Sequence, residues 1–168
     1  MREFTIPNVQ IPTQVPIALH GFTDYFKGFE KVPAVRSIFG DNTERVLGSL
    51  KVEFFSSKFG YMGVSDEDGH LIVSAYYLRE GEPVSKYLDV IHELVHVKQY
   101  FQGKELFDEN YSYVDRPTEI EAYQCSVEEG RRIGMDEDSI AEYLYVEWVS
   151  RKEHARLLKT LGVHPTSN

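Results

Sequence analysis

The chain is short of cysteine, short of basic charge and without a long apolar run, and each shortage excludes a class of protein. A single Cys, Cys125, in 168 residues leaves no intramolecular disulfide framework and fits a reducing compartment. Eighteen Lys and Arg against 27 Asp and Glu give a net charge of −9, which argues against nucleic acid or an anionic membrane as the main partner. No segment reaches the ~20 apolar residues of a membrane span, and Met1 to Pro7 lacks the apolar region of a signal peptide, so the expected location is the cytoplasm. What is present suits one globular domain spanning residues 1–168: 42% hydrophobic and 13% aromatic residues supply a sizeable core.

The most informative stretch is His92-Glu93-Leu94-Val95-His96, inside the apolar run from Val84 to Phe101. Two histidines four apart on a helix project from one face, one turn apart, so both imidazoles can reach one metal ion. Glu93 lies about 100° round from His92, which places its carboxylate beside that ion rather than on it. Zinc held by three protein ligands keeps a fourth position for water, lowers that water's pKa to about 7 and needs a nearby base. The pattern alone arises by chance in roughly one chain in fifty of this composition, so its surroundings decide its meaning. Pro83 suits a first helical turn, Tyr87, Leu88, Val90, Ile91, Leu94 and Val95 recur at helical spacing, and Gly103 follows as a stop. The spacing predicts a buried helix from about Pro83 to Gln102.

A third ligand cannot be a cysteine upstream of this helix, because Cys125 lies downstream; that removes a peptide deformylase arrangement. Arg116-Pro117-Thr118-Glu119-Ile120-Glu121-Ala122-Tyr123 opens a second helix with two carboxylates about 200° apart, of which only one can face the metal. Glu119 is the choice, since Ala122 on its face lets the two helices approach closely. Thr118 and Glu121 fit a capping box, which would turn Glu121 back to the helix start.

His92-Glu93-Leu94-Val95-His96 followed by Glu119-Ile120-Glu121-Ala122 resembles the gluzincins, zinc metallopeptidases with an HExxH helix and a glutamate ligand in an E-x-x-A pattern on a later helix. The separation here is 119 − 96 = 23 positions, and the length resembles the small single-domain minigluzincins. The resemblance covers roughly residues 70 to 125. Many gluzincins place an Asp four residues after the ligand glutamate, where this chain has Tyr123. The resemblance implies a small α+β domain in which a sheet packs on the HExxH helix and further helices follow.

Elsewhere the pattern is less specific. Pro7, Pro12 and Pro16 predict an extended arm over residues 1–21, read as plain packing, with a cover over the cleft as the alternative. Aromatic and aliphatic residues from Thr23 to Leu50 predict one or two short core helices. Between Leu50 and Arg79 the period becomes two: Lys51–Phe55, Gly60–Val64 and His70–Tyr77 predict a three-stranded antiparallel meander, with Leu71 to Tyr77 as the edge that would pair with an extended peptide. Asp66, Glu67 and Asp68 read as a solvated turn rather than a calcium loop. A last helix is predicted from Asp136–Ser139 past Leu158, capped by Ser139 and Glu142, with Trp148 and Ala155 on its buried stripe and a loose tail over 162–168.

These readings combine into an expected zinc-dependent peptide hydrolase, leaning to endopeptidase. His92, His96 and Glu119 would bind Zn²⁺, and Glu93 would act as general base and acid. The oxyanion donor is expected among Tyr123, the Tyr111/Tyr113 loop and His154, in that order. The partner is a peptide or protein substrate. A second reading keeps the same zinc site in a regulatory or interaction module with little activity, and a third treats the histidines as core residues without metal; the retained Glu93 and the two independent ligand-bearing segments favour the hydrolase.

Overall fold

The computed structural model describes residues 4–166. From Phe4 to Ala18 the chain has no regular element beyond one bridge between Gln10 and Lys27, as the three prolines lead one to expect. Gly28 makes that approach possible: its φ is 86°, and a Cβ there would lie 2.7 Å from the Asn8 carbonyl oxygen. The expected arm ends sooner than residue 21, because Leu19–Gly21 is a strand, β1, that joins the sheet. Residues 1–3 of the arm and 167–168 of the tail lie outside the described residues.

Three short helices follow, α1 (Phe22–Tyr25), α2 (Pro33–Phe39) and α3 (Thr43–Ser49), separated by single 3-10 turns. Their apolar positions, Phe22, Phe26, Phe29, Val35 and Leu47, are buried, as the aromatic stripe implied. Then come β2 (Lys51–Phe55), β3 (Met62–Val64) and β4 (Leu71–Ser74).

The sheet differs from the expected three-stranded antiparallel meander. It has four strands in the order β1-β2-β4-β3, and β2 pairs with β4 in parallel while β1 and β3 pair antiparallel at the two edges. The reason lies in the segment 56–61, longer than a tight hairpin loop of about 2–5 residues, which carries the chain past β4 before β3 turns back onto it. The edges are therefore β1 and β3, and β4 is central. β4 also stops at Ser74, whose hydroxyl accepts a hydrogen bond from the Tyr77 amide at 3.2 Å and opens α4 (Ala75–Glu80), so Tyr77 is helical rather than the end of a strand.

The central element is α5 (Pro83–Phe101), with Pro83 in its first turn as expected. Every residue from Val90 to Val97 is buried, between the sheet, α2 and the following helix α6 (Pro117–Arg132). Ala122 on α6 is fully buried against α5, and the Ser126 hydroxyl donates to the Leu88 carbonyl at 3.3 Å, so the two helices approach closely.

The predicted last helix is two: α7 (Glu137–Tyr143) and α8 (Arg151–Leu161). Asp136, not Ser139, caps α7, accepting from the Ser139 amide at 2.8 Å. Ser150 restarts the helix as an N-cap that the apolar periodicity concealed: its hydroxyl accepts from the Glu153 amide at 3.2 Å and donates to the Glu153 carboxylate at 3.0 Å. Trp148 consequently sits in a loop, half exposed, and Ala155 faces outward, while Leu157 and Leu161 are buried. The result is an α+β fold with a mixed sheet, and among the described residues no helix is long and apolar enough to cross a membrane.

Candidate metal centre

A cleft of about 880 Å³ opens between β3, α5, α6 and the α7–α8 loop. His92, His96 and Glu119 meet in its wall, all buried. Helical spacing brings the two His Nε2 atoms to 3.1 Å, and α6 delivers the Glu119 oxygens to 3.0 Å from His92 Nε2 and 3.2 Å from His96 Nε2. These three are the one group of three or more His, Cys, Asp or Glu among the described residues that could hold a metal ion. The donor set suits a divalent metal ion. Bonds of about 2.0–2.2 Å at tetrahedral angles require ligand atoms roughly 3.4 Å apart, close to what the folded chain presents, and a His/His/Glu set leaves a fourth position open. Glu121, the rival carboxylate, is elsewhere: it accepts from Gln99 Nε2 at 3.0 Å and from Lys104 Nζ at 3.4 Å. The Thr118–Glu121 capping box does not form, because α6 begins at Pro117 with Arg116 as its N-cap, which leaves Thr118 inside the first turn, its hydroxyl donating to the Leu106 carbonyl at 3.2 Å.

The electrostatics follow from burial and proximity. Burial raises the Glu119 pKa, but hydrogen bonds from both histidines outweigh it and hold the carboxyl well below its usual range. Burial lowers the His96 pKa, yet Glu119 and Glu93 overcome this and push it up to about 9. Glu93, one position round the helix, is buried, and desolvation raises its pKa by more than the neighbouring His92 and His96 lower it. The cleft wall is acidic: Asp89, one turn earlier on the same face of α5, accepts hydrogen bonds from the Tyr77 hydroxyl and, at 2.7 Å, from the Tyr143 hydroxyl, and burial raises its pKa too.

The oxyanion candidates separate. Tyr123 lines the cleft with its ring centroid 4.3 Å from that of His92, and its hydroxyl shares a 2.6 Å hydrogen bond with that of Tyr113, which also lines the cleft. Burial and the nearby carboxylates raise both phenols, so they remain neutral donors. Tyr111 is exposed and outside the cleft lining, and His154, half-buried, pairs its Nε2 with the Ala141 carbonyl at 2.7 Å. Cys125 is half-buried, its thiol pushed up to about 11 by burial.

Two residues escaped the sequence reading. Gln99, fully buried, faces His96 Nδ1 with its Oε1 at 2.7 Å; the i, i+3 spacing from His96 was the available signal. Asp89 shares the helical face of Glu93 four residues later, a spacing equally visible in the chain. No known family model, curated protein or solved structure matches this chain, so the site is read from its own chemistry.

Proposed function

We propose that the protein is a zinc-dependent peptide-bond hydrolase. The observation that carries this reading is the convergence of His92, His96 and Glu119, with Glu93 buried in the same cleft as an additional carboxylate that the ligand set does not need. His92 and His96 would hold the ion through Nε2 and Glu119 through its carboxylate. Bound there, zinc would supply Lewis acidity towards a carbonyl and acidify a water to near pKa 7.

The remaining roles belong to the chain. Glu93 takes a proton from the attacking water and returns it to the leaving amine; a carboxyl whose pKa is raised by burial suits both halves of that cycle. The Tyr113–Tyr123 hydroxyl pair supplies a neutral donor on the cleft wall for the developing oxyanion. β3 offers a place for an extended substrate. Tyr61 and Ser65 spend backbone groups on β4, at 2.8 Å to the Ser74 amide and 2.9 Å to the His70 carbonyl. By antiparallel alternation Met62 and Val64 then turn theirs to the open edge, beside the cleft that both residues line.

The test is turnover of a quenched-fluorescence peptide library by zinc-loaded wild type and Glu93→Gln. Cleavage by wild type, lost in Glu93→Gln with zinc affinity retained, supports the reading. Equal cleavage by both would remove Glu93 from the chemistry. Zinc binding without any cleavage would favour the interaction module instead.

A further inference from the structure

We infer that Gln99 is the positioning residue of the metal centre: its side-chain amide decides which His96 nitrogen is free for the ion and ties that choice to the helix carrying Glu119. The inference rests on the metal-site reading above and assigns a role to a residue outside the ligand set.

The amide's orientation is forced by its surroundings. Gln99 Nε2 lies 3.0 Å from the Thr118 carbonyl oxygen and 3.0 Å from Glu121 Oε1. A backbone carbonyl and a carboxylate only accept, so the NH₂ end must point to them. Oε1 is then the end that meets His96 Nδ1 at 2.7 Å, and an amide oxygen only accepts as well. His96 Nδ1 therefore carries a proton, so in the neutral ring that ligates a metal the lone pair is confined to Nε2, the nitrogen 3.2 Å from Glu119 and 3.1 Å from His92 Nε2. The same amide holds Thr118, the residue immediately before Glu119, so one buried side chain sets the histidine tautomer and the position of the carboxylate helix. Lys104 extends the arrangement by reaching Glu121 at 3.4 Å from the surface. His92 has no such arrangement: its Nδ1 is buried without a hydrogen-bond partner among the described residues, and its ring packs at a 60° tilt against Tyr123.

Two substitutions separate positioning from packing. Gln99→Met keeps the volume and removes both ends of the amide. Gln99→Glu keeps an acceptor for His96 Nδ1–H but loses both donors and faces Glu121 with like charge. Zinc affinity is measured by chelator competition, and the His96 ring N–H is followed by nitrogen–proton correlation spectra of the zinc-loaded protein. The expected results are a 10–100-fold weaker zinc affinity for Gln99→Met, with loss of the exchange-protected Nδ1–H. Gln99→Glu should keep that N–H and bind zinc at least about tenfold tighter than Gln99→Met, although its metal-free form melts lower. Glu121→Ala should shift affinity by less than about threefold, because the Thr118 carbonyl still orients the amide. Wild-type affinity and an unchanged ring N–H in Gln99→Met would overturn this inference alone, as would equal weakening in both variants with the N–H intact. A wild type that binds no zinc would overturn the metal reading and this one with it.

Discussion

Zinc should stabilise the fold by an amount that depends on Glu119 and hardly at all on Glu121. Both carboxylates lie near the start of α6, but Glu119 is 3.0 and 3.2 Å from the two His Nε2 atoms, whereas Glu121 spends its oxygens on Gln99 and Lys104. A ligand that binds only the folded state at 100 times its dissociation constant adds about 2.7 kcal/mol. For a chain of this size that corresponds to a rise in Tm of roughly 5–11 °C. Glu119→Ala removes one of three ligands, and a loss of at least about 100-fold in affinity leaves only ~0.4 kcal/mol at the same zinc concentration, or roughly 1–2 °C. Glu121→Ala should keep nearly the whole rise, since its half-exposed contacts are worth at most about 1 kcal/mol to the metal-free protein. The assay is scanning calorimetry of the three proteins, stripped of metal and then titrated with zinc. A full rise in Glu119→Ala, or equal losses in the two variants, would refute the assignment of the third ligand.

Other perturbations probe the surroundings of the site. Leu94→Ala, at a fully buried position between the two histidines, should cost about 2–5 kcal/mol in urea unfolding, and a cost under about 1 kcal/mol would contradict the tight burial of α5. Tyr113→Phe and Tyr123→Phe should each lower kcat by about 10²-fold or more at unchanged zinc affinity, with the double variant no worse than the poorer single one, because the two hydroxyls act as a pair. Full additivity would mean that they act separately. His70 gives a pH signature. Burial lowers its pKa, but Glu53, 2.8 Å from Nε2, and Asp68 raise it by more. Its stabilising effect is thus complete below the unfolded value of about 6.5 and fades as pH rises through the higher folded value. Wild type should lose urea stability over that rise while His70→Asn does not, and parallel curves would exclude the charge contacts as the cause.

The parts of this fold that were legible in the chain are those set by local spacing. α5 could be read because Pro83 and the apolar recurrence through Val95 are contiguous, and the His92/His96 pairing follows from helix geometry alone. Choosing Glu119 over Glu121 needed only the 200° between them and a small residue at Ala122. Strand pairing was harder, since β2 meets β4 in parallel and β1 from the arm, and neither contact leaves a mark in the residues between them. Trp148 misled because an aromatic at helical spacing reads as buried, whereas here it stands at the cleft beside Tyr61 and Tyr113, with centroids at 5.6 and 5.7 Å. Ser150 and Glu153 were the correct signal for that break. Gln99 was hidden for another reason: a glutamine on a helix is ordinary, and its meaning appears only when α6 brings Thr118 and Glu121 against it.

His92, His96 and Glu119 should together hold one metal ion. Metal content by plasma emission spectroscopy, on untagged protein purified without chelators, tests it most directly when wild type is compared with His96→Ala and Glu119→Ala. About one zinc per chain is expected in the wild type, lost in both variants. A wild type that holds no metal even after zinc is added back, or variants that retain it in full, would exclude a three-ligand site at these residues.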